Sequence, residues 1–197
     1  MRKNLLTGMA FFAATLLVMP NNASAQSVFL GAGATFPMGD YGDYADTGWL
    51  AEAGFSLPLG DGPWSGLFTG FYGGNGHSYD EGIPELYGSD DDKTSLLGGL
   101  VGAEYSFSEQ GEAGPFVFGE VGLMRHKYEP ADDGPEPELY GEESSTGFAF
   151  GGGVGYSIPF GSVNGYALAR YLNGQFDEGS TAFIGVMAGV SIPLGGN

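Results

Sequence analysis

The chain is 197 residues long, contains no cysteine, and carries 24 Asp and Glu against six Lys and Arg, a formal charge of −18. Such a surface excludes nucleic acid as a partner, because that binding rests on cationic contacts to phosphate. Without thiols there is no disulfide frame, no thiolate chemistry and no lipid-modified cysteine.

The first 25 residues read as an export signal for the Sec pathway. Arg2 and Lys3 give a basic start, Leu5 to Met19 form a mostly apolar run, and Pro20 breaks it. Ala23-Ser24-Ala25 supplies the small residues of a cleavage site, so Gln26 is the expected mature N-terminus. The apolar run is short for a membrane span, which takes about 20 residues. Residues 26–197 then suit one domain.

From there the chain alternates apolar and small or polar residues in strand-length segments, predicted over 27–37, 47–58, 64–74, 93–107, 115–127, 145–158, 164–173 and 181–194. The connections after the first, third, fifth and seventh segments are polar and mostly long: Met38 to Asp46, Asn75 to Asp92, Tyr128 to Ser144 and Gly174 to Ser180. Those after the second, fourth and sixth are tight, around Asp61-Gly62-Pro63, Glu109-Gln110-Gly111 and Gly161-Ser162. Long turns on one side and short turns on the other are the asymmetry of outer-membrane barrels.

The alternation also assigns faces. In the first segment Val28, Leu30, Ala32, Ala34 and Phe36 oppose Gly31, Gly33 and Thr35. In the sixth, Phe148, Phe150, Val154, Tyr156 and Ile158 oppose Ala149, Gly151, Gly153, Gly155 and Ser157. In the last, Ala182, Ile184, Val186, Ala188, Val190 and Ile192 oppose Phe183, Gly185, Met187, Gly189 and Ser191. An apolar face outward to lipid and a small or polar face inward is the expected pattern. The third segment is ambiguous, because Trp64, Phe68 and Tyr72 compete with Leu67 and Phe71 for the outer face.

A repeat supports the strand count. Phe55-Ser56-Leu57-Pro58, Tyr105-Ser106-Phe107-Ser108, Tyr156-Ser157-Ile158-Pro159 and Val190-Ser191-Ile192-Pro193 close every second segment. Proline cannot donate to a strand ladder, so it ends one. Four matching ends imply four descending strands reaching one interface. A soluble, lipocalin-like cup would carry charged residues along its outer face. Here the midstrand charges, Glu52, Glu104, Glu120 and Arg170, all fall on the inferred lumen face.

The Gly-Ala-Gly-Ala-Thr-Phe-Pro-Met-Gly opening over 31–39, the Ser-apolar-Pro ends and the eight-strand layout resemble the outer-membrane β-barrel domain family. This broad group includes OmpX, the OmpA transmembrane domain and OmpW. The resemblance implies an all-β, eight-stranded antiparallel up-and-down transmembrane β-barrel in the cell outer membrane. It also implies contact with lipid and lipopolysaccharide, and with the barrel-assembly machinery during biogenesis. Such barrels usually end on an aromatic residue, whereas this sequence ends Ile192-Pro193-Leu194-Gly195-Gly196-Asn197, which implies a weak assembly signal.

Three groups of residues are candidates for chemistry. Glu52, Glu104, Glu120 and Arg170 phase into a lumen only wide enough for its own side chains. Phe116, Phe118, Met124, Leu168, Phe183 and Met187 share that space, so a buried ion-pair network filling the barrel is expected. The second group is the acidic loops, in which Asp40, Asp43, Asp46, Asp90, Asp91, Asp92, Asp132 and Asp133 form a candidate rim for weakly bound Ca²⁺ or Mg²⁺. Their spacing matches no EF-hand pattern. The third is Arg125 and Lys127, which phase outward at the top of the fifth strand and are candidate contacts to lipid phosphate, or partners for loop acids.

His77 and His126 are the only histidines and belong to no spaced nucleophile–base motif. The expected role is therefore non-enzymatic: a monomeric barrel with filled lumen and acidic extracellular loops, serving structure or surface interaction. The alternatives are a small passive channel for apolar or cationic solutes, and a lipid A-modifying enzyme.

Overall fold

The computed structural model describes residues 26–77, 92–109, 112–129, 143–177 and 179–194; the expected leader lies outside them. Eight strands, β1 (Ser27–Met38), β2 (Gly48–Pro58), β3 (Trp64–Gly76), β4 (Lys93–Ser106), β5 (Gly114–Glu129), β6 (Glu143–Phe160), β7 (Val163–Phe176) and β8 (Gly179–Pro193), pair in chain order. β1 pairs with β8 from Ser27 opposite Pro193 to Met38 opposite Ala182, which closes the barrel. Every pairing is antiparallel. Closure leaves no open ladder edge, as a sheet in hydrocarbon requires.

The repeated strand ends become repeated turns. Gly60 after Leu59 and Gly161 after Phe160 adopt φ of 78° and 67°, a left-handed conformation that glycine enters without steric cost. These turns reverse the chain after β2 and β6. A 3-10 helix over Gly39–Asp43 follows β1. At five residues it is too short to leave a helical period in the sequence.

Two differences from the sequence reading concern the ends of strands. The expected long connection over Gly174 to Ser180 is instead a tight turn, because β7 continues to Phe176 and β8 begins at Gly179. The ladder carries on from Gly174 opposite Thr181 to Phe176 opposite Gly179. Polar side chains line it along β7: Gln175 donates to the Asn173 side-chain oxygen, and Asn173 Nδ2 donates to the Tyr171 hydroxyl at 3.0 Å. β5 and β6 likewise run on to Glu129 and back to Glu143. Hydrogen bonding across the ladder continues where hydropathic alternation has already faded.

The faces follow the alternation. In β3 Leu67, Thr69, Phe71 and Asn75 point inward, whereas Trp64 and Tyr72 are exposed. Outward-facing Gly66 and Gly70 lie between these aromatics and Gly74 follows them, which is why the outer row read weakly. Leu30, Val101, Val121, Leu123, Val154 and Val186 form an exposed aliphatic band around the barrel. Aromatic residues bound the band at both ends. Trp49 packs edge-on to Tyr72 at 5.5 Å on the loop side, and Trp64 packs on Tyr105 at 5.0 Å on the short-turn side. An apolar band between two aromatic girdles is the outer surface of a protein that sits in a bilayer.

Inside, the half nearer the long loops is packed with apolar side chains. Leu50, Phe71, Leu96, Leu100, Met124, Ala149, Leu172, Phe183 and Met187 form one buried cluster, with Leu168 and Phe176 against it. Phe116 and Phe118 also point inward. The first loop folds over this end: Tyr41 is 1 % exposed, and its hydroxyl donates to Asn75 Oδ1 at 3.3 Å. Asn75 Nδ2 in turn donates to the Asp46 carbonyl at 2.7 Å, which ties the loop to β3.

Candidate functional site

The lumen holds an ionic tier beneath the apolar cluster. Arg170 on β7 faces Gly153 on β6 and Gly185 on β8, and these glycines leave the long side chain a path across the barrel. Its Nη1 donates to Glu52 Oε2 at 2.6 Å, and its Nη2 to Glu120 Oε2 at 2.5 Å. The three charged residues are 2, 5 and 4 % exposed. Tyr166 donates to the other Glu52 oxygen at 3.1 Å, and Thr69 donates to Glu120 Oε1. Each carboxylate therefore has both oxygens bound. Buried charges persist only when they are paired and hydrogen-bonded in this way. The Phe118 ring lies 5.6 Å below the guanidinium carbon, adding a cation–π contact. Arg170 Nε has no partner among the described residues.

Glu104 departs from the expected network. It is half-buried on the short-turn side and forms no ion pair among the described residues. It lies opposite Phe118 in the β4–β5 register, and that ring takes the position beneath Arg170. One guanidinium also saturates its two terminal nitrogens with two carboxylates. Thr69 and Asn75 were missed in the sequence: Thr69 lies in the segment whose phase was ambiguous, and Asn75 lies past that segment's predicted end, in a strand that continues to Gly76.

A second polar cluster closes the loop end of the lumen. The two histidines, far apart in sequence, meet at one hydroxyl. His77 Nε2 lies 2.7 Å from Thr94 Oγ1 and His126 Nε2 lies 3.4 Å from it. The His77 ring packs against Tyr44 and Tyr128 at 5.4 and 5.5 Å. Asp92, expected in the acidic rim for divalent cations, is instead buried. It is 2 % exposed and accepts from the Tyr128 hydroxyl at 2.5 Å. Asp40, Asp43 and Asp46 are exposed at the first loop, while Asp90, Asp91, Asp132 and Asp133 lie outside the described residues. Among the described residues no three metal-ligating groups converge.

Burial holds the His77 pKa below the ordinary imidazole value, with Asp92 and Asp46 opposing the shift. A histidine whose folded pKa is depressed adds stability above its unfolded pKa of about 6.5, and that stability is lost as pH falls through the folded value. Thermal unfolding of the refolded barrel should therefore shift to lower temperature between pH 7.5 and 5. His77→Gln, which keeps a polar group near Thr94, should flatten that dependence. An unchanged pH profile in the variant would remove His77 as its cause.

On the outer wall Arg125 is exposed, and its Nη2 donates to Ser144 Oγ at 2.8 Å. Lys127 Nζ pairs with Glu129 Oε1 at 2.7 Å, the acid partner that the sequence left open.

A closed up-and-down barrel with an apolar belt, aromatic girdles and an ionic interior defines an eight-stranded transmembrane β-barrel of the outer-membrane type. Solved structures of such barrels share the fold. Neisserial surface protein A matches with a TM-score of 0.61 and 16 % identity, covering 85 % of this chain and 96 % of that one. The N-terminal β-barrel domain of Pseudomonas aeruginosa OprF matches with a TM-score of 0.54 and 16 % identity, covering 86 % and 99 %. Neither a family model nor a curated protein sequence matches the chain.

Proposed function

We propose that this protein is exported, cleaved after Ala25, and works in the bacterial outer membrane as a non-enzymatic barrel whose long acidic loops face outward to make surface contacts. The observation that carries this reading is the sealed half of the lumen. Leu50, Met124, Leu172 and Phe183 are each 0 % exposed, and they lie directly above the saturated Glu52–Arg170–Glu120 tier. A lumen occupied in this way favours a scaffold for its loops over a solute path. The lipid-modifying alternative finds little support, because the His77–Thr94 pair is buried and faces inward, away from any acyl chain.

Cysteine labelling tests the arrangement cleanly, since the chain has no cysteine of its own. An impermeant thiol reagent on intact cells should label Asp43→Cys. Asp61→Cys should react only after the outer membrane is permeabilised, and Val121→Cys, in the aliphatic belt, in neither case. Reversed labelling of Asp43 and Asp61 would invert the topology, and labelling of all three on intact cells would refute the membrane reading. Planar-bilayer recordings of the refolded protein should show no steady conductance; a stable open level would favour the channel alternative.

A further inference from the structure

Outside the leader the sequence has four basic residues, Lys93, Arg125, Lys127 and Arg170. Arg170 is consumed in the lumen. The remaining three, in a chain of strongly negative charge, lie on one small patch of the outer wall. Lys93 begins β4 opposite Glu129, Ser95 lies opposite Lys127, and Leu97 lies opposite Arg125. On the other side of β5, Lys127 faces Ser144 and Arg125 faces Thr146. All of these residues fall on the outward phase of their strands, shared with the exposed Leu97, Leu123 and Phe148.

The depth of the patch follows from the sheet register. Trp49 and Tyr72 mark the loop-side girdle. The row through Trp49 continues across Gly74 and Ser95 to Lys127 and Ser144, and the row through Tyr72 continues across Leu97 to Arg125 and Thr146. Because the strands are tilted, a row climbs toward the loops as it crosses them in this order: the row that leaves β1 at Val28 returns to it at Met38. The cations therefore sit on the loop side of the girdle, in the layer of lipid headgroups just beyond the aromatic side chains. At this depth the complementary anion is a lipid phosphate.

We propose that Lys93, Arg125 and Lys127, with the hydroxyls of Ser95, Ser144 and Thr146, form a binding site for the phosphate of an anionic glycolipid in the outer leaflet. Arg125 supplies the planar donor fork suited to phosphate, and its hydrogen bond to Ser144 holds that fork against the wall. Lys93 and Lys127 flank it as point charges. Glu129 lies between the two lysines across the strand pair and opposes anion binding. This site rests on the membrane reading and extends it to a particular lipid chemistry.

The test uses the full mature barrel refolded into phosphatidylcholine vesicles, with and without a fraction of diphosphorylated lipid A. The phosphorylated lipid should raise the thermal stability of the barrel and be retained with it on purification. Each cation near a membrane surface contributes about 1 kcal/mol, or about fivefold in affinity. Arg125→Gln combined with Lys127→Gln should therefore weaken retention by about 25-fold while leaving stability in pure phosphatidylcholine unchanged. Glu129→Gln should strengthen it. Equal retention by the double variant and the parent would overturn the site, as would equal stabilisation by inorganic phosphate in pure phosphatidylcholine. Failure of the parent to enter phosphatidylcholine vesicles at all would overturn the membrane reading and the site together; entry without any preference for phosphorylated lipid would overturn the site alone.

Discussion

Arg170→Ala should destabilise the refolded barrel by about 3–5 kcal/mol, the usual cost of stranding a buried charge. Here the loss is at the upper end of that range, because one guanidinium serves two carboxylates. Glu52 and Glu120 would face one another across the lumen with only Tyr166 and Thr69 to donate to them. Urea unfolding of the refolded protein reads the loss directly. Adding Glu52→Gln to Arg170→Ala should restore part of the stability, and adding Glu120→Gln a further part, because each change removes a stranded charge. Glu104→Gln should have little effect in either background, since Glu104 is outside the ion pairs. A neutral Arg170→Ala would show that the tier does not stabilise the fold. A stable Arg170→Ala variant that conducts ions would mean the guanidinium, and not the apolar cluster above it, seals the lumen.

The second large effect is expected at a glycine. Tyr166 reaches Glu52 through a slot between Gly31 on β1 and Gly189 on β8. A Cβ on Gly31 would lie 2.4 Å from the Tyr166 hydroxyl and 3.2 Å from Glu52 Oε1, and one on Gly189 would lie 2.4 Å from the ring. Overpacking a filled interior costs about 1–3 kcal/mol, and displaced Tyr166 also surrenders its hydrogen bond to a charged group, worth about 1.5–3 kcal/mol. Gly31→Ala should therefore cost about 2.5–6 kcal/mol in urea unfolding. In a Tyr166→Phe background the same substitution should cost less, because the nearest atom is the hydroxyl. Gly99→Ala supplies the contrast. That Cβ would meet nothing within 4 Å, and the change should be close to neutral. Equal costs for Gly31→Ala with and without the Tyr166 hydroxyl would mean that the slot is not set by this contact.

Both predictions depend on information of two kinds. The inward phase of Glu52, Glu120 and Arg170 was legible in the sequence because a strand has a period of two and a lipid-facing surface tolerates no midplane charge. One apolar neighbour on each side of a charge was enough to set its direction. The same logic placed Phe116, Met124, Phe183 and Met187 inside, where the structure has them. The four Ser-apolar-Pro or Ser-apolar-Ser ends fixed the number of hairpins, since proline and a left-handed glycine act on the backbone locally, whatever the tertiary context. Loops were less legible. Strand pairing beyond the membrane draws on hydrogen bonds between polar residues, so β5, β6, β7 and β8 extend where no apolar pattern announces them.

Partnership across the barrel was decided only by the tertiary structure. Glu52 and Arg170 are separated by 118 positions, Glu120 and Arg170 by 50. Periodicity shows that such residues face the same cavity but carries no information about shear or depth. Those depend on the register of every intervening strand pair, and they determine that Arg170 meets Glu52 and Glu120 while Phe118 separates it from Glu104. The meeting of His77 and His126 at Thr94, and the gathering of Lys93 with Arg125 and Lys127, have the same origin. Alternation is a local property and set which way each side chain points; register is a property of the closed sheet and set which side chains it finds there.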